Sequence, residues 1–308
     1  MNGPRLRLLS DAQLERLHDA ALELLRDPGV RIMSEEAREL LLGAGATLVG
    51  EDVVHIPARL VEGSLDSAPH RFTLHDRTGA ERLALGEGNV YFGSGVTNLS
   101  YLIPRTGERH PFTLEDVADT ARLTDALANL DFLTTPGVVR ASAELPQALV
   151  NQNEFLAMVT NTTKPLMVLV ADGPALADVF DMAEVVAGGR EEHRSRPFVV
   201  PYLNSVSPLQ FGPDTLDKLL LTADRGIPVV CQAAPQVGAT SPVTVAGTIA
   251  IAAAETLCGL VIAQLRRPGT PFITGAVPLA MDMRKGNVTG GGPVGLRSMV
   301  AMGQLAHR

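Results

Sequence analysis

Apolar and polar positions are most sharply patterned between residues 228 and 265, PVVCQAAPQVGATSPVTVAGTIAIAAAETLCGLVIAQL. Residues 229–233 are apolar but for Gln232 and read as a strand, with successive side chains on opposite faces. A turn of small and polar residues follows, holding Gln236, Gly238, Thr240 and Ser241, and then a long apolar helix. Ser241 ahead of Pro242 predicts the helix start. A serine hydroxyl caps an orphan N–H, and proline at the first helical position loses no hydrogen bond. Gly269, after Arg266 and Arg267, predicts the end, with two cations near the negative pole of the helix dipole. Strand, polar loop and helix together make half of a β–α unit.

Residues 1–88 follow a different rhythm. In 10–26, Leu14, Leu17, Ala21, Leu24 and Leu25 recur at helical spacing behind a Ser10 cap, with His18 on the solvated side. Residues 34–42 predict a second helix capped by Ser34, and 57–67 a third starting at Pro57; 53–56, 71–75 and 82–85 read as strands. This mixture predicts a small α+β N-terminal extension packed on a main domain, 89–308. From 89 onward the pattern is regular. Strands are predicted at 90–95 (VYFGSG), 130–138, 165–172, 197–205, 228–234 and 271–276. Helices are predicted at 113–129, 144–160, 174–187, 214–225, through the long apolar run, and at 293–307.

Strands this continuously apolar, separated by helices, predict a parallel sheet covered on both faces. An open doubly wound sheet places a glycine fingerprint directly between its first strand and helix, whereas GSGVTN (93–98) is followed by no helix. A barrel instead gathers polar residues at the carboxyl ends of its strands. Those ends carry Tyr91 and Ser94, Thr134 and Thr135, Asp172, Asn204 and Ser205, then Gln232 and Gln236. The expectation is an α/β fold, a TIM (β/α)8-type barrel with about six of its eight units in view and the C-terminal ones lacking. Unpaired strand edges would then invite association into a homo-oligomer.

Composition and charge narrow the function classes. With 45% hydrophobic and 19% charged residues in 308, the chain has enough apolar content for a large core. A formal net charge of -8 offers no basic surface to nucleic acid or to an anionic membrane. Cys231 and Cys258 lie in apolar segments without CxxC spacing, which predicts buried thiols in a reducing compartment, not a zinc site or disulfide. Arg5 and Arg7 are followed by no apolar core, so no secretory signal is predicted. The run 243–265 is long enough to cross a bilayer. Glu255 near its middle, with Thr244, Thr248 and Thr256, favours a core helix, and a soluble cytoplasmic protein is expected.

Several stretches resemble one family. GATSPVTVAGTIAIAAAETLCGLVIAQLRRPGTPFITGA (238–276) with MDMRKG (281–286) is similar to the trimethylamine:corrinoid methyltransferases. NSVSPLQF (204–211), NLDFLTTP (129–136) and the opening LSDAQLERLHDAALELLRDPGVRI look like the same family. The resemblance implies a TIM barrel that moves a methyl group from a methylated amine to the cobalt of a separate corrinoid protein. Members acting on trimethylamine carry a pyrrolysine in their C-terminal portion, while relatives without it act on quaternary amines such as glycine betaine. No pyrrolysine is in view in this sequence, so a quaternary amine is expected.

A methyl group leaving a quaternary nitrogen requires no general base, because the neutral amine departs as it is. Accordingly no catalytic residue is assigned. The site needs a pocket that aims one methyl outward, and aromatic faces and amide oxygens hold such a cation. Tyr91, Tyr202, Asn204, Gln232 and Gln236 sit at the expected strand ends. Thr240 and Ser241, with the N–H groups of their helix start, would seat a substrate carboxylate. Plainer readings stay open: Tyr202 as core packing, Ser241 as a cap alone, Arg284 with Asp282 as a surface pair. The chain lacks the D-x-H-x-x-G sequence that holds cobalamin through a histidine, so no corrinoid is bound directly and a partner protein supplies it. Two other classes remain, a non-catalytic amine-binding truncated barrel and a different TIM-barrel enzyme such as a lyase.

Overall fold

A computed structural model of the chain describes residues 6–86, 88–289 and 291–307. Of the stretch read as lacking a secretory signal, residues 1–5 lie outside the described residues. In chain order the elements begin with α1 (Asp11–Arg26), β1 (Val30–Ile32), α2 (Glu35–Gly43), β2 (Thr47–Val49), β3 (Val53–His55) and α3 (Ala58–Ser67). Two hairpins follow, β4 (Phe72–His75) with β5 (Glu81–Leu85), and β6 (Tyr101–Leu102) with β7 (Arg109–His110). Then come α4 (Leu114–Ala126), β8 (Leu133–Thr134), α5 (Val150–Asn161), β9 (Leu166–Val168), α6 (Gly173–Ala187), α7 (Arg190–Ser195) and β10 (Val199–Asn204). After β11 (Gln210–Phe211) and α8 (Pro213–Arg225) the chain enters β12 (Val229–Ala233), β13 (Gln236–Val237) and α9 (Val245–Arg266). It continues through β14 (Phe272–Ala276), β15 (Leu279–Asp282), β16 (Asn287–Thr289) and α10 (Pro293–Ala306). Strands and helices alternate from β8 onward, giving an α/β fold with parallel strands.

These elements form two compact units. The first takes the chain up to Ala68, Leu203–Asp224 and Val229 onward; the second takes Pro69–Tyr202 and Arg225–Pro228. In the first, α9 is the centre, with α1, α2, α3, α10, β12 and β14 packed around it. A helix apolar all round belongs inside a core, and α9 buries residues on every face from Thr248 to Gln264. It is long and apolar enough to cross a membrane, yet here it is the middle of a protein core. Strands β12 and β14 run parallel, from Val229 opposite Phe272 to Ala233 opposite Ala276. The approach of α9 to β12 depends on Gly259, where an added Cβ would lie 2.8 Å from Cys231 Sγ. Both cysteines are buried and unbridged, and burial pushes the Cys231 thiol up to about 12, with Glu255 adding to the shift.

The start of α9 differs from the sequence expectation. Thr244 is the N-cap, its hydroxyl accepting the N–H of Gly247, and Ser241 lies ahead of the helix. Gly247 explains why the cap falls there. An added Cβ would sit 2.9 Å from Thr244 Oγ1 and 3.2 Å from Pro242, so only glycine lets the Pro242–Thr244 segment fold back over the first turn. Ser241 instead pairs its hydroxyl with that of Thr248 at 2.9 Å. At MDMRKG the carboxylate of Asp282 accepts the backbone N–H of Arg284 (2.9 Å), closing the turn between β15 and β16.

In the second unit β8, β9 and the first half of β10 run parallel, Leu133 and Val199 both registering with Leu166. Helices α4, α5 and α6 pack in succession. The strand expected at 90–95 is reduced to a single parallel bridge, Gly93 with Phe132. There the Phe132 ring lies where a Cβ of Gly93 would be (2.2 Å), and beyond the backbone bond from Asp131 to Phe92 the Ser94 hydroxyl bonds to Thr134, so side-chain bonds take over from the ladder. The strand expected at 130–138 contracts to β8 for a related reason: Phe112 lies against Gly137, and the backbone beyond Thr134 bonds to single residues.

Candidate functional site

The carboxyl ends of β10 and β12 in the first unit bring together several of the expected site residues. The Ser205 N–H donates to the Gln232 carbonyl (3.1 Å), so the end of β10 meets β12 at Gln232. Asn204, exposed, accepts the Thr215 hydroxyl on its carbonyl at 3.1 Å. The Gln232 side chain is partly exposed and runs beside Gly275 of β14, where an added Cβ would lie 3.4 Å from Nε2. Cys231, one residue earlier, is 1% exposed and faces α9. The alternation read from the sequence therefore holds: thiol inward to the helix, amide away from it.

Past β12 the chain makes a tight turn. The Gln236 carbonyl accepts N–H groups from Ala239 (2.9 Å), Thr240 (3.0 Å) and Ser241 (3.1 Å), and its N–H donates to Thr240 Oγ1 (2.9 Å). Gln236, Thr240 and Ser241 are thus one cluster. The carboxylate seat expected from Ser241 capping the helix is not formed as drawn, because the free N–H groups of α9 begin after Thr244. The other two expected residues lie in the second unit. Tyr91 uses its hydroxyl on the backbone of β5, accepting from Ala84 N–H (2.9 Å) and donating to its carbonyl (3.3 Å). Tyr202 is partly buried in β10.

Two buried carboxyls, one in each unit, were not among the expected site residues. Glu255, in the middle of α9, is 0% exposed. It accepts the hydroxyls of Ser205 and Ser207 (the latter at 2.8 Å) and the N–H of Leu209 (2.9 Å). Burial raises its pKa, and these three donors oppose the rise. Glu154, 5% exposed on α5, accepts from Asn151 Nδ2 (3.0 Å) and the Val139 N–H (3.2 Å), and burial raises its pKa also. Asn151 in turn accepts the Ala171 N–H (3.0 Å), linking the segments that follow β8 and β9. The one signal in the sequence was a carboxylate inside an apolar run, since Glu and Asp are almost never fully buried without partners.

Strand-end hydroxyls in the second unit are used within the chain. Thr134 pairs with Ser94 (2.9 Å), Thr135 accepts the Leu169 N–H (3.0 Å), and Asp172 caps α6. A cavity of about 540 Å³ lies at the opposite, amino ends of β8 and β9, lined by Asp125, Asp131 and Lys164. Lys164 is spent there on the carbonyls of Thr124 (2.6 Å) and Leu127 (2.8 Å), which close the end of α4. Among the described residues no three His, Cys, Asp or Glu side chains are placed to hold a metal ion.

Parallel strands alternating with helices, and amide and hydroxyl groups gathered where strands end, define an α/β protein of the kind that builds its site from strand-end loops. The family model for trimethylamine methyltransferase (MTTB) matches residues 1–308, and the chain belongs to that family. It is 28% identical over 304 residues to a glycine betaine methyltransferase of Desulfitobacterium hafniense (strain Y51), an alignment covering 99% of this chain and 63% of that protein. It is 33% identical to a trimethylamine methyltransferase from another strain of D. hafniense, over 92% of this chain and 57% of the relative. The chain therefore spans less than two thirds of the length of these relatives. In fold it is similar to the crystal structure of the monomethylamine methyltransferase of Methanosarcina barkeri, with TM-score 0.58 and 11% identity, covering 97% of this chain and 58% of that one.

Proposed function

We propose that the protein takes part in moving a methyl group from a methylated amine to the cobalt of a separate corrinoid protein, with a quaternary amine such as glycine betaine preferred over trimethylamine. The observation that carries this reading is the family match along the whole chain. The quaternary preference is prompted by a glycine betaine methyltransferase among the relatives, beside trimethylamine enzymes that match over as much of the chain, so the amine is left to the test below. In this reading the parallel strands are part of a TIM-type barrel, with 1–88 as an N-terminal extension and 89–308 as barrel. The protein acts in the cytoplasm, with a homo-oligomer as its assembled form.

The corrinoid is a co-substrate carried by its own protein; when present it supplies a cobalt centre that accepts the methyl. This chain's residues bind and orient the amine. The amide oxygens of Asn204 and Gln232 approach the quaternary nitrogen; Tyr91 and Tyr202 are the aromatic candidates within the second unit. The side-chain amide of Gln236 and the hydroxyls of Thr240 and Ser241, rather than free N–H groups of a helix start, receive the carboxylate end. No residue is required to take a proton, because the leaving amine is neutral. Titration calorimetry with glycine betaine, trimethylamine and glycine tests the binding half of this reading. Binding of glycine betaine in preference to trimethylamine, with glycine silent, is expected. Glycine bound as well as its trimethylated form would show that the cationic methyl groups are not what the site reads.

A further inference from the structure

We propose that Glu255 is a positioning residue: from the centre of α9 it holds the loop 205–211 so that Asn204 and Gln232 stand ready for the methylated amine. This rests on the proposed function. Three donors spread over five residues of one loop converge on this single carboxyl, Ser205 Oγ, Ser207 Oγ and the Leu209 N–H. The loop's first residue is also the one whose N–H bonds the Gln232 carbonyl, so fixing Ser205 fixes both strand ends at once. Leu209 adopts φ +53°, a left-handed conformation that a branched side chain rarely takes. Its N–H is thereby turned toward Glu255, and its carbonyl accepts the Arg31 N–H at 2.9 Å. Residues in sparsely populated backbone regions persist only where the surroundings over-determine them, and they cluster at functional sites.

A loop that merely had to be closed would not need a carboxyl at 0% exposure. The neighbouring buried positions of α9 are Ala252, Ala253, Ala254, Thr256 and Cys258, side chains that close a core without such a cost. Replacing Glu255 by an apolar residue strands two hydroxyls and one N–H, whereas glutamine keeps an acceptor for Leu209 and presents donors that the two serine hydroxyls accept after rotating.

The test compares the wild type with Glu255→Gln and Glu255→Leu. Three readouts are taken: glycine betaine affinity, hydrogen exchange across 205–211, and melting temperature. Expected for Glu255→Leu is an affinity loss of about tenfold or more, with faster exchange in 205–211 at temperatures where α9 stays protected; Glu255→Gln should restore affinity to within about threefold. Glu255→Leu that binds normally with unchanged loop exchange overturns the inference. So does a Glu255→Leu variant whose binding loss follows its fall in melting temperature, with exchange in 205–211 rising only as that of α9 rises, because the carboxyl would then serve stability alone. If the wild type binds no methylated amine, the proposed function fails, while exchange in 205–211 still decides whether Glu255 holds the loop.

Discussion

Cys231 and Gln232 are consecutive in one strand, yet their surroundings assign them opposite tasks. The thiol is 1% exposed against Gly259 of the central helix, and the amide beside it is partly open. Gln232→Leu is expected to weaken glycine betaine binding about tenfold while the denaturation midpoint stays in place, since a solvent-facing change costs little stability. Cys231→Ser buries a hydroxyl among apolar groups and should cost about 1–3 kcal/mol in urea denaturation, with binding retained. Loss of fold from Gln232→Leu with ligand binding spared would reverse the assignment of faces.

His193 gives a pH signature at the same scale. It is 1% exposed, neither ring nitrogen has a hydrogen-bond partner, and it packs edge-on to Phe198 (5.2 Å between centroids). Burial, assisted by the nearby Arg225, lowers its pKa to about 4. As pH falls below the ordinary value of 6.5, the unfolded chain takes the proton first, so stability present above 6.5 is lost progressively toward 4. Between pH 7.5 and pH 5 the loss amounts to about 2 kcal/mol. The raised pKa values of Glu154 and Glu255 act with the opposite sign, favouring the fold as pH falls and withdrawing that support as it rises. Urea denaturation at both pH values, for wild type and His193→Phe, isolates the histidine: the variant should lose about 2 kcal/mol less. Equal losses would mean that His193 is not held neutral.

Among the elements, α9 shows both what the sequence reveals and what it conceals. Its length, its apolar run and its burial were legible because a helix buried on all sides needs no polar face. Its first residue was not: the Ser241–Pro242 pair pointed to a start three residues ahead of the Thr244 cap. The close approach of Pro242 and Thr244 to Gly247 decides between the two starts, and that is a packing fact. Thr244→Ala should cost about 1 kcal/mol as the loss of a true cap. Gly259→Ala should destabilise by about 1–3 kcal/mol despite alanine's better helix propensity, since its Cβ meets Cys231 Sγ at 2.8 Å. If Gly259→Ala is instead stabilising in urea denaturation, α9 does not press on β12 there. The run 90–95 misled in the other direction. It is apolar and β-prone, but its pairing stops at a single parallel bridge, Gly93 with Phe132, where the Phe132 ring crowds the backbone. The role of Glu255 was hidden by distance along the chain, its partners lying 46 to 50 residues away.

At the scale of the whole molecule, the family match runs without interruption through residues of both compact units, while each relative is longer than this chain. The α/β fold with parallel strands was legible as alternation of strand and helix, a consequence of a parallel sheet covered on two faces. Which amine the proposed function would involve is not settled by residue types, because cation-holding amides and aromatics suit more than one methylated nitrogen. The most direct test supplies the chain with a reduced, Co(I) corrinoid protein and either glycine betaine or trimethylamine, and follows methylation of the cobalt by its absorbance. The account predicts methyl transfer from glycine betaine, faster than from trimethylamine. Transfer from trimethylamine alone would contradict the quaternary preference, and no transfer from either amine, with binding intact, would leave a protein that holds methylated amines without turning them over.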